Sequence, residues 1–134
     1  MPDPPQYSHL PKPMVPQIKA ANKAAEKNPS SDNIGKLGIV YHSNVFYKEA
    51  KESYLLAISI DPNYCESYYY LGYLYSESGE SWNVIKCLGK VLELNPSDSY
   101  ASYYLAEAYF NSGNNEQAEK IFSRLAYSKN TDFK

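Results

Sequence analysis

The side chains best suited to chemistry in this chain are two histidines, two cysteines and 15 tyrosines among 134 residues. His9 lies among prolines and His42 near the end of an apolar-periodic stretch. Neither has a serine, cysteine or carboxylate at the local spacing of a catalytic triad or metal site. Cys65 and Cys87 lack Cys-x-x-Cys spacing and are too few for a disulfide framework. They are expected on opposite ends of a helix pair, unpaired, as small buried or half-buried hydrophobes. Glycine-rich phosphate loops are absent. The residues therefore predict no enzyme activity, no catalytic or metal-binding set and no cofactor.

Tyrosine is the informative residue, because ten of the 15 fall between Tyr64 and Tyr109. It offers a large apolar ring with few rotors and a polar tip, a mixture enriched at recognition surfaces. Rings could also stack on single-stranded nucleic acid. Glu66, Glu77 and Glu107 lie among them, however, and the net charge is −2, so a phosphate backbone is disfavoured and no nucleic-acid partner is expected. Apolar runs are short, as in Leu55-Leu56-Ala57-Ile58, which predicts no membrane insertion and no signal-peptide core.

The elements that must position the tyrosines follow a period. Tyr68-Tyr69-Tyr70-Leu71-Gly72-Tyr73-Leu74-Tyr75 holds a Leu-Gly pair followed by Tyr75. Leu37-Gly38 with Tyr41 stands 34 residues earlier, and Leu105-Ala106 with Tyr109 stands 34 residues later. Residues 31–64, 65–98 and 99–132 align without a gap. In each, Leu, a small residue and Tyr form one stripe of a first helix. A second helix presents Ala50, Tyr54 and Ala57, then Val84, Leu88 and Val91, then Ala118, Phe122 and Leu125. Pro62 and Pro96 close the first two units, and Asn130 stands at the third position. Gly79 and Gly113 mark turns within pairs, with Val45 in the first. A glycine inside a helix costs about 1 kcal/mol against alanine, so Gly38 and Gly72 predict close helix approach that offsets it.

This pattern resembles the tetratricopeptide repeat over nearly all of residues 31–132. The resemblance implies an all-α, α-α superhelix, a solenoid of three helix pairs. Ahead of it, six of the nine prolines fall within the first 16 residues and predict an extended leader over 1–15. Ile18, Ala21 and Ala25 then predict a short helix over 16–29 that caps the first pair.

The resemblance also implies which side chains face a concave groove. These are Ile39 and His42 in the first unit, Tyr69, Tyr70 and Tyr73 in the second, and Tyr100, Tyr103, Tyr104 and Glu107 in the third. His42 is expected as a solvated rim residue. For the tyrosines the readings are partner binding, packing between units, or contact with the chain's own leader. Family members that hold a chaperone's C-terminal carboxylate do so with cationic donors. Here the matching positions are Gly35, Ile39, Tyr70, Tyr100 and Tyr104, so that partner is not expected.

The expected function is a non-catalytic protein–protein interaction module that binds a peptide or partner segment in a tyrosine-rich groove. The alternative is a scaffold or self-assembly segment of a larger multidomain protein, of the bacterial envelope type. In that reading the Ala118, Phe122 and Leu125 stripe is exposed at the end of the array and drives homo-oligomerisation.

Overall fold

Proline and asparagine set where the helices stop, and the computed structural model describes residue 2 and residues 14–132. The elements are α1 (Met14–Lys27), α2 (Ser31–Ser43), α3 (Tyr47–Ile60), α4 (Cys65–Glu77), α5 (Ser81–Leu94), α6 (Ser99–Asn111) and α7 (Asn115–Asp132). All seven are α-helices, and no strand occurs among the described residues. The chain is an all-α array of three helix pairs preceded by one helix. Most of the expected leader lies outside the described residues. Its last two positions, Met14 and Val15, belong to α1, which starts two residues earlier than Pro16. Pro16 sits in the first turn, where an amide has no helical partner to lose.

Each pair is closed by the same turn. After α2, Val45 N–H donates to the His42 carbonyl at 3.1 Å and Phe46 N–H to that of Tyr41 at 2.9 Å. Gly79 and Glu80 repeat this with Ser76 and Tyr75, and Gly113 and Asn114 with Phe110 and Tyr109. Such a motif needs one residue in the left-handed region, and Gly79 and Gly113 supply it at φ 75° and 89°. Val45 is forced to φ 68°, a position a β-branched residue rarely adopts. Two helix starts are capped by side chains: Ser30 Oγ accepts from Asn33 N–H at 3.1 Å, and Asp98 from Ala101 N–H at 3.0 Å.

The chain divides into two compact units, residues 1–70 and 71–134, with the division inside α4. In the first, α1 packs on α2 and α2 on α3. Ile18 and Ala25 from α1, Ile34, Leu37 and Tyr41 from α2, and Ala50, Tyr54 and Ala57 from α3 are all fully buried. Ser31 Oγ ties α2 to α3 by donating to the Ala57 carbonyl at 2.8 Å. In the second, α6 packs on both α5 and α7. Its core comprises Leu71, Leu74 and Tyr75, Val84, Leu88 and Val91, Ala101, Leu105 and Ala106, and Ala118.

The close approach expected at the helix glycines is present. A Cβ on Gly38 would lie 2.6 Å from Tyr54 Cε1, and one on Gly72 would lie 3.1 Å from Leu88 Cδ2. One expectation is corrected. Ala118 is 1% exposed and belongs to the α6–α7 contact, so it is not part of an open end stripe.

Candidate functional site

In the first unit, α2 and the start of α4 border a cavity of about 150 Å³. Gly35, Ile39 and Tyr70 supply its apolar lining, Ser67 also lines it, and Asp32, Lys36, Tyr64 and Glu66 bring charge and hydroxyl groups. Ile39 and Tyr70 are thus brought together, both half-buried. Tyr70 is partly consumed by packing: its ring stacks on Tyr54 with centroids 6.0 Å apart and planes 14° apart. Tyr69 meets Tyr70 edge-on at 6.0 Å.

His42 departs from the solvated rim. It is half-buried, its Nδ1 lies 3.1 Å from Tyr54 Oη, and its ring meets those of Tyr47 and Tyr54 edge-on at 5.6 and 6.0 Å. The cause is the turn at Val45, which folds α3 back beside the end of α2 and delivers Tyr54 to the imidazole.

A polar network occupies the rim of this cavity. Lys36 Nζ is 3.0 Å from Asp32 Oδ2, one helical turn along α2. Tyr64 Oη lies 2.9 Å from Asp32 Oδ1 and 2.7 Å from Glu66 Oε2. Hydrogen bonding from Lys36, then from Tyr64, holds the Asp32 carboxyl below its ordinary range. Glu66 first, then burial and Asp32, push the Tyr64 phenol well above its ordinary range, because each carboxylate favours the protonated hydroxyl.

In the second unit, Tyr100, Tyr103 and Tyr104 of α6 line a cavity of about 630 Å³ together with Phe122, Leu125 and Ala126 of α7. Tyr100 is 72% exposed and Tyr103 49%. Tyr103 meets Tyr104 edge-on at 5.5 Å and Phe122 at 5.9 Å, and Tyr73 meets Tyr104 at 6.4 Å. Three of the six tyrosines expected to bind thus share one cavity with Phe122 and Leu125, two of the residues expected at an array end. Phe122 and Leu125 belong to the apolar stripe read from the sequence, whereas Ala126, one turn after Phe122, was not singled out there. Glu107 meets this group only through Tyr104, with which it lines a second space of about 30 Å³ alongside Ser76, Val84 and Asn111.

Cys87 is a free, buried thiol. Burial pushes the Cys87 thiol up to about 11. Among the described residues, no group of three or more His, Cys, Asp or Glu side chains could hold a metal ion. No described helix is long and apolar enough to cross a membrane.

Tetratricopeptide-repeat family models match residues 34–64, 53–84 and 85–133, which together take in residues 34–133. The chain belongs to the tetratricopeptide-repeat family. No curated protein matches it in sequence. Among solved structures, this repeat chain is similar to a crystal structure of MamA with TM-score 0.79 and 22% identity, covering 86% of this chain and 68% of that one. A second structure of MamA protein gives TM-score 0.78 and 22% identity, covering 87% and 64%. This chain thus spans about two thirds of the length of those chains. At such identity the likeness is one of fold. As a tetratricopeptide-repeat chain it is a protein–protein interaction or scaffold module.

Proposed function

We propose that the chain binds a peptide or partner segment through its aromatic helix faces, without catalysing a reaction on it. The observation that carries this reading is the exposure of Tyr100 and Tyr103 around the α6–α7 cavity. Rings that served packing alone would be covered, as Tyr41 and Tyr54 are. Here they stand beside Phe122 and Leu125, an arrangement suited to apolar or aromatic side chains. Among the described residues the lining holds no cationic group, which disfavours a terminal carboxylate as the main determinant.

The test is an immobilised array of dodecapeptides probed with wild type and with Tyr103→Ala and Tyr104→Ala. Truncating a central aromatic anchor costs about 2 kcal/mol, roughly thirtyfold in affinity. Peptides that bind all three proteins equally would remove this cavity from the function.

A second reading is self-association through the same face. Leu88 and Val91 of α5 are buried, and α6 packs on that helix. The corresponding Phe122 and Leu125 of α7 line an open cavity, and a second copy could cover them. Light scattering over a concentration series separates the readings, since a strict monomer that still binds peptides leaves only the first.

A further inference from the structure

Gly35 is buried, yet a Cβ added to it would meet no atom within 4 Å. The residues 34 and 68 positions further on are Tyr69 and Tyr103. The first repeat therefore has a hole where the other two carry a ring, and the cavity beside α2 includes it. Ser67 lines the same cavity and is 1% exposed, and among the described residues its Oγ has no hydrogen-bond partner. A buried hydroxyl left in that state points to a polar group that the cavity has yet to receive.

The rim supplies the sign of the charge. Tyr64 Oη is within hydrogen-bond distance of both Asp32 and Glu66, but a phenol carries one hydrogen and donates to one carboxylate at a time. Lys36 neutralises Asp32 from its other oxygen. Among the described residues, no cation pairs with Glu66. With Lys36 on Asp32, the phenol hydrogen can serve Glu66, whose negative charge is still unmatched by a cation beside a hole with an aliphatic and an aromatic wall.

We infer that this cavity receives a lysine side chain of a partner peptide. Its methylenes would pass over Gly35 between Ile39 and the Tyr70 ring, and its ammonium would sit at Glu66 and the Tyr64 hydroxyl. An ammonium brings three rotatable donors on a thin stem. Through them it can satisfy a carboxylate and also reach the Ser67 hydroxyl, which an uncharged chain of the same length cannot do. The inference rests on the reading that the chain binds peptides, and it adds the chemistry of one residue of the peptide.

The test is amide NMR on the full chain, titrated with N-acetyl-lysine methylamide and, separately, with N-acetyl-norleucine methylamide, which has the stem without the charge. The lysine probe is expected to shift the Gly35 and Ser67 amides saturably and to bind about fivefold more tightly than norleucine. Glu66→Gln, at an exposed position that leaves the fold intact, should remove that advantage, and Gly35→Tyr should abolish both responses. Equal affinities for the two probes, lysine shifts that miss Gly35 and Ser67, or indifference to Glu66→Gln would each overturn the inference. N-acetyl-phenylalanine methylamide, followed at Tyr103 and Phe122, reports separately on the aromatic cavity of the second unit. Failure there with lysine binding intact counts against the general reading alone.

Discussion

Tyr54 fills the space that a side chain on Gly38 would need, its Cε1 lying 2.6 Å from the position of an added Cβ. Tyr54 is itself fully buried and stacked on Tyr70, so its ring has nowhere to retreat. Gly38→Ala should therefore destabilise the protein by about 1–3 kcal/mol despite the better helix propensity of alanine. At Gly72 an added Cβ would meet Leu88 Cδ2 at 3.1 Å and Cys87 Cβ at 3.3 Å, overlaps of only a few tenths of an ångström, and Gly72→Ala should cost less than Gly38→Ala. Urea unfolding of the two variants checks the contrast.

Val45 holds the left-handed position that Gly79 and Gly113 hold in the other two turns, and its side chain is mostly in solvent. Val45→Gly removes the steric cost of that conformation and loses little packing. Glycine also frees the unfolded chain, so the net gain should be about 0.5–1 kcal/mol. It should appear as a higher denaturation midpoint with an unchanged slope.

Tyr64 should ionise later than an ordinary tyrosine, because Glu66 and Asp32 both favour its protonated form. Its folded value is raised. The stability this contributes is present below the ordinary tyrosine range and is lost as pH rises above it. Absorbance at the phenolate band should include a delayed component for Tyr64, and Glu66→Gln should move that component to lower pH.

Cys87 lies on the buried face of α5, and its thiol is raised to about 11. In a Cys65→Ser background, a thiol reagent at mildly alkaline pH should label it slowly. The rate should rise sharply once denaturant opens the fold. Fast labelling of the native protein would show that the α4–α5 contact opens readily.

The repeat was legible because its packing code is local. Leu37, Leu71 and Leu105 recur at one spacing, and Gly38 and Gly72 mark close approaches that the structure contains. The direction in which a helix face points was harder to read. Tyr100 and Tyr103 sit on α6 as expected, but the way α7 packs beside that helix decides that they share a cavity with Phe122. His42 and Tyr54 are 12 residues apart and meet only through the turn at Val45, so their hydrogen bond has no sequence signature. Gly35 was read from the sequence only as a groove position without a cationic donor, and the hole beside it had a different reason for staying hidden. A missing side chain carries no chemistry of its own, and its meaning comes from the space left around it.

That space has a consequence for how such arrays diversify. One register position holds glycine at 35 and tyrosine at 69 and 103, while the Leu and small-residue stripe that builds the helix pair stays in place. A single codon can thus exchange a socket for a knob without disturbing the scaffold that carries it. Under the proposed function, partner preference becomes a short word, one letter per repeat, written at a register position outside the stripe that builds the scaffold.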